Sequence, residues 1–163
     1  VPYTSSENRR YIPMGFLSGD IIASDAARII PDANLYHFGV LNSNVHMSWM
    51  RAVAGRLKSD YRYSKNIVYN NFPGPTPTEA QKAKIEKTAQ GILDARAKYP
   101  DSSLADLYDE VLMPPELRKA HQANDRAVME AYGFWGKLNT ESECVAQLMK
   151  MYQKLVDNIE KKK

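Results

Sequence analysis

The spacing of apolar positions changes character near residue 72. Before that point apolar residues recur mostly in short alternating runs, and after it they recur at the three-and-four spacing of helices. In RYIPMGFL (10–17) Ile12, Met14 and Phe16 alternate, which predicts a β-like segment that Pro13 confines to an edge or a bulge. IIASDAARII (21–30) is ambiguous, since its ends favour strand and its SDAAR centre favours helix. LYHFGVL (35–41) reads as a strand with Tyr36, Phe38 and Val40 on one side. After Asn42, Ser43 and Asn44 a helix is expected from Val45 to Leu57, capped by Ser43 or Asn44. Its apolar arc would hold Val45, Trp49, Met50, Val53 and Leu57, with Arg51 and Lys58 projecting from the far side. YRYSKNIVY (61–69) returns as a β-like segment, so residues 9–72 read as one mixed strand-and-helix unit.

FPGPTPT (72–78) stops that pattern. Thr78 with Gln81 has capping-box form and opens a helix carrying Ile85, Ala89, Ile92 and Leu93, which ends at Tyr99-Pro100. Ser102 or Ser103 caps a short helix, SLADLYDEVLM, that stops at Pro114-Pro115. Pro115 suits the first turn of the next helix and Gly133 its end. Thr140 with Glu143 opens the last helix, whose apolar stripe is Val145, Leu148, Met149, Tyr152, Leu155, Val156 and Ile159. The expected fold is α+β: a mixed strand and helix unit over 1–72, followed by a small all-α bundle over 73–163.

Charge sharpens this division. Residues 1–72 hold 8 Lys+Arg against 5 Asp+Glu, whereas 73–163 hold 14 of each, so the excess of positive charge lies in the first half. Within it, Arg51, Arg56, Lys58, Arg62 and Lys65 face a single acid, Asp60, and Tyr61, Tyr63 and Tyr69 are interleaved with them. Cations beside aromatic rings suit contact with nucleic-acid phosphates and bases, although an exposed helix face would carry the same composition.

Enzymatic signatures are absent. There is no G-x-G-x-x-G, Walker A, H-E-x-x-H, G-x-S-x-G or EF-hand pattern. His37, His46 and His121 lie in different predicted elements without ligand spacing and read as packing or surface residues. The one cysteine, Cys144, excludes an internal disulfide framework and a multi-cysteine zinc site, and points to a reducing compartment, the cytoplasm. The chain opens at Val1 within a polar segment and reads as a piece of a longer polypeptide.

The words LYHFGVLNS, HMSWMRAVAGRLKSDYRYS and VYNNFPGP are specific. They resemble the C-terminal end of the MmeI-like enzymes, bacterial single-chain restriction-and-modification proteins that methylate adenine in DNA. The resemblance continues through RRYIPMGFL upstream and ILDARAKYPDSSLADLYDEVLMPPELRKAHQANDRAVMEAYG downstream. It implies the end of a target-recognition domain followed by a helical C-terminal domain. Catalysis does not transfer with it: the Asn/Asp-Pro-Pro-Tyr/Phe loop of adenine methyltransferases and the Asp…Glu-x-Lys set of a linked nuclease do not occur, and Asn71-Phe72-Pro73-Gly74-Pro75 is not that loop. S-adenosylmethionine, and Mg2+ where a nuclease is present, would be bound by the parent protein and not by this region.

What transfers is DNA reading. In the family's G-R-L-x-S-x-Y-R-Y-S word the two variable positions are associated with the base pair recognised at one position of the target, and here they are Lys58 and Asp60. Two residues apart in an extended segment, both side chains would point the same way. Lys donates to guanine O6 and N7, and Asp accepts from the cytosine amino group. Arg51, Arg56, Arg62 and Lys65 would contact phosphates, joined by Ser43 and Asn44 at the start of the basic helix, with Tyr61 and Tyr63 as nearby rings. The expected partners are double-stranded DNA and the parent's methyltransferase domain. The rival reading is a protein-interaction module with an incidental basic patch, and steep salt dependence of binding would separate the two.

Overall fold

The computed structural model describes residues 1–162. Its elements in order are β1 (Thr4–Ser5), α1 (Leu35–Leu41), α2 (Asn44–Val53), β2 (Gly55–Leu57), β3 (Asp60–Arg62), a π-helical turn (Lys65–Tyr69), α3 (Glu79–Ala97), α4 (Leu104–Leu107), α5 (Pro115–Tyr132) and α6 (Glu141–Glu160). The fold is α+β, with one small antiparallel sheet in the order β1-β3-β2 and a helical second half.

The helices of the second half begin and end where their caps lie. Thr78 and Gln81 satisfy each other's backbone N–H groups at the start of α3, and Thr140 and Glu143 do the same for α6. Pro115 occupies the first turn of α5, and Gly133 closes it at φ 73°, in the left-handed region. The expected helix after Ser103 is cut short at Leu107, because Tyr108 turns inward to bond Arg96 and His121.

The first half departs from its apolar alternation. Residues 35–41 are helical, not a strand. Asn34 forms a capping box with His37, and Gly39 lets α1 press against α3, where a Cβ would lie 2.6 Å from Ile85 Cγ2. Residues 10–17 form no strand either. Tyr11, Ile12, Pro13 and Met14 are all buried, and the carbonyls of Arg10 and Met14 accept from the guanidinium groups of Arg51 (3.1 Å) and Arg96 (2.6 Å). Arginine forks from two helices do here what a neighbouring strand would have done. Residues 21–30 hold neither helix nor strand, apart from a bridge between Pro2 and Ala27. Of 61–69 only the start is extended; Ser64 then caps the π-helical turn.

Packing ignores the boundary between the halves. α1 lies on α3, α3 on α5, and α6 on α2, so the second half is not a bundle closed on itself. Trp49 illustrates this: its ring is buried 6.0 Å from that of Tyr152 on α6, and its indole N–H donates to Val68 O (3.0 Å). Tyr11, Trp49, Ile85, Leu117 and Leu148 belong to one continuous core.

Candidate nucleic-acid interface

Helix α2 ends at Val53, four residues short of the expected Leu57, and the chain folds into a hairpin. Gly55 pairs with Arg62, Arg56 with Tyr61 and Leu57 with Asp60, leaving Lys58-Ser59 as a two-residue turn. Lys58 takes φ 57°, the left-handed conformation that mirror-image hairpin turns require and that costs a non-glycine residue about 1 kcal/mol. Lys58 and Asp60 therefore do not sit side by side in one extended run. The turn brings them together at the hairpin tip. Residues paired across a sheet share a face, so Leu57, Asp60 and Arg62 lie on one side and Arg56 with Tyr61 on the other. All of β2 is exposed, and a two-stranded ribbon is one of the shapes that the DNA major groove admits.

The other expected contacts divide into free and committed groups. Lys65 is exposed on the π-helical turn. Arg62 is exposed and donates to the Tyr3 hydroxyl. Arg56 lies 3.9 Å above the Tyr61 ring, bonds Ser59 O (2.5 Å) and meets Glu7 at 3.4 Å. Arg51 is held by both oxygens of Glu141, at 2.7 and 3.1 Å, while it also donates to Arg10 O; it is a structural tie between α2 and α6.

Burial or hydrogen bonding within the protein occupies four of the expected groups. Tyr63 is 1% exposed and bonded to His46 Nε2 (2.8 Å), and Tyr61 is 7% exposed beneath Arg56, so neither ring is open to a base. Ser43 is fully buried as the N-cap of α2, its hydroxyl donating to Val40 O (2.6 Å). The backbone N–H of Asn44 donates to Asp125 Oδ1 (2.8 Å). The anion at this helix N-terminus is thus the protein's own carboxylate, not a phosphate.

Asp125 does not stand out in the sequence, yet it is a buried acid at the junction of three segments. Its carboxylate is 6% exposed and also accepts from the Tyr11 hydroxyl (2.5 Å); burial raises its pKa to about 6. A signal existed: Leu117, His121, Asn124 and Val128 follow helical spacing, so polar residues fall on the buried stripe of α5. His121 stacks on Tyr11 at 4.1 Å and bonds Tyr108, and His46 is buried against Tyr63 and Phe72. Burial lowers both imidazoles to about 3, which keeps them neutral. Burial likewise pushes the Cys144 thiol up to about 11.

Residues 1–76 match the family model for the MmeI target recognition domain, and residues 77–160 match that for the MmeI C-terminal domain. The chain belongs to the MmeI family. It is similar to DNA methyltransferase A of Bacillus subtilis (strain 168), at 43% identity over 157 residues, covering 96% of this chain and 18% of that protein. It is also similar to the solved type IIL restriction-modification enzyme MmeI in complex with DNA, at 51% identity and a TM-score of 0.92 over 96% of this chain and 21% of that one. The chain thus spans about a fifth of the length of these relatives.

In this MmeI-family region the hairpin falls within the target-recognition match, while Asp125 and Glu141 fall within the C-terminal match. The Asn71–Pro75 segment does not fit methyl-transfer chemistry. Phe72 packs edge-on to His46 at 4.4 Å and lies 6.4 Å from the Tyr132 ring, and Pro73 O accepts from the Tyr132 hydroxyl (2.7 Å), so its aromatic and carbonyl groups tie the first half to α5. Among the described residues no group of three or more His, Cys, Asp or Glu side chains is placed to hold a metal ion, and no helix is long and apolar enough to cross a membrane.

Proposed function

We propose that this region reads part of a DNA target sequence for an adenine-specific restriction-modification methyltransferase, with the β2–β3 hairpin in the major groove. Lys58 donates to guanine and Asp60 accepts from cytosine, so the pair reads one G·C base pair. Arg56, Arg62 and Lys65 flank the tip as phosphate contacts that fix register. Residues 1–72 carry the reading surface and residues 73–163 the helices that support it. The whole protein works in the cytoplasm. Its methyltransferase domain binds S-adenosylmethionine and acts on the adenine once this region has docked, with the base turned out of the stack; Mg2+ would serve only a linked nuclease.

The observation that carries this reading is the exposed hairpin whose strained turn residue is itself Lys58. The positive φ is what the two-residue turn requires, and the turn sets a charged side chain at the exposed tip of the ribbon. The likeness to a DNA-bound MmeI structure supports the same reading.

The test is to exchange the two side chains, K58D with D60K, in the full-length protein and to determine the sequence methylated. Preference should change at a single base pair with methylation retained. Unchanged specificity would sink the assignment, and a uniform loss on all sequences would place both residues among the phosphate contacts. Binding should also weaken steeply with salt, which an apolar docking module would not show.

A further inference from the structure

We propose that Asp125 is a positioning residue for DNA reading: from α5 it fixes the start of α2, and through that helix the place of the hairpin tip. The inference rests on the reading of the hairpin given above. α2 is the rod that separates the two, since Asp125 grips its first residue and the hairpin starts at Gly55, just past its end.

The grip is two-sided. Asp125 Oδ1 accepts from the Asn44 N–H (2.8 Å) while Oδ2 accepts from the Tyr11 hydroxyl (2.5 Å). The preceding residue, Asn124, donates from Nδ2 to Gly39 O (2.7 Å) and accepts from the Thr88 hydroxyl (3.0 Å). Consecutive residues of α5 therefore hold the end of α1 and the beginning of α2, which fixes the corner between them. The far end of α2 is tied by Arg51 to Glu141 and to Arg10 O. A buried carboxylate is an expensive way to fill a core. What it supplies here is direction, because two donors approach it from different elements.

Leverage makes that direction matter. Ten helical residues and a short hairpin put the tip at most about 25 Å from Asn44, so at that reach a tilt of about 2° at the corner shifts it by about 1 Å. A base contact tolerates about 0.5 Å of misplacement, whereas long arginine and lysine side chains follow a phosphate over larger shifts. Loss of the grip should therefore lower discrimination more than affinity.

The test compares D125A and D125N in the full-length protein. Methylation rates are measured on duplexes carrying the preferred pair at the position read by Lys58 and Asp60, and on duplexes with that pair inverted. The ratio of the two rates is independent of the fraction of folded enzyme, so a purely structural role would leave it unmoved. D125A should lower the ratio about tenfold. D125N should keep it within about twofold, because its carbonyl still accepts from Asn44 N–H and its amide can donate to the Tyr11 oxygen. An unchanged ratio in D125A overturns the proposal. Should D125A not accumulate, Y11F decides, since it deletes one of the two bonds: a ratio lowered about threefold supports the proposal and an unchanged ratio overturns it. The exchange at 58 and 60 keeps the two ideas apart. If it leaves preference unchanged, the reading itself fails; if it changes preference while D125A leaves the ratio alone, only the positioning fails.

Discussion

The two ends of α2 are built on opposite plans. At its start, the α1–α2 corner is buried, backbone groups of Gly39 and Asn44 are bonded to α5, and α3 approaches so closely that only glycine fits at position 39. Beyond its end, the hairpin is exposed, Leu57 shows 53% of its surface, and the turn residue is held in an unfavourable conformation. The difference teaches where substitution should be tolerated. The tip can change its chemistry without disturbing the core, while the corner cannot change without moving the tip.

The largest expected effect is at the corner. Gly39→Val places side-chain atoms against Ile85, Ala89 and Asn124 and should cost about 3 kcal/mol in urea unfolding. A cost below about 0.5 kcal/mol would mean that α1 and α3 can part freely, and the contrast with the tip would collapse.

Acid unfolding probes the same corner. Burial raises Asp125 to about 6, so its contribution to stability is full below the ordinary carboxylate pKa and is lost as pH rises through about 6. His46 and His121, lowered to about 3, run the other way: their contribution is present above the ordinary histidine pKa of about 6.5 and is lost as pH falls. Between about pH 6 and pH 4 the folded protein holds a proton at Asp125, while the unfolded chain holds two at the histidines. D125N lacks the opposing term. Its stability should therefore fall with acid more steeply than that of the unaltered protein, by about 1.4 kcal/mol per pH unit. Equal slopes would show that Asp125 does not titrate in this window.

At the tip the expected sign reverses. Lys58→Gly relieves the positive φ and should stabilise the fold by about 0.5–1 kcal/mol while base reading is lost. Destabilisation would show that Lys58 makes a folding contact and that tip and core are not separate. The smallest effect belongs to Glu7→Ala, which removes an exposed 3.4 Å pair with Arg56 and should change stability by less than about 0.5 kcal/mol.

How far the candidate site was legible follows from the same contrast. The basic, exposed stretch was visible in composition, and the resemblance singled out Lys58 and Asp60 within it. Which cations were free was not visible. Arg51 and Lys58 stand seven residues apart in what reads as one helix, yet Arg51 is chelated by Glu141, ninety positions away, and Lys58 sits on a turn. Tyr61 and Tyr63 look like stacking rings until the fold places them against Arg56 and His46.

By itself the sequence determined the starts of α3, α5 and α6 and the end of α5, because capping boxes, a proline in the first turn and a left-handed glycine act within a few residues. It also determined that one stretch would be basic and exposed. Only the tertiary structure decided the form of 10–17 and 35–41, where apolar alternation and helical burial compete over short runs. The deciding groups came from distant elements: Arg51 and Arg96 took the carbonyls of the first segment, and Asn124 and Ile85 received Gly39 in the second. Local hydrogen bonds can be read along a chain, but a buried partner across the core depends on how every other element has packed.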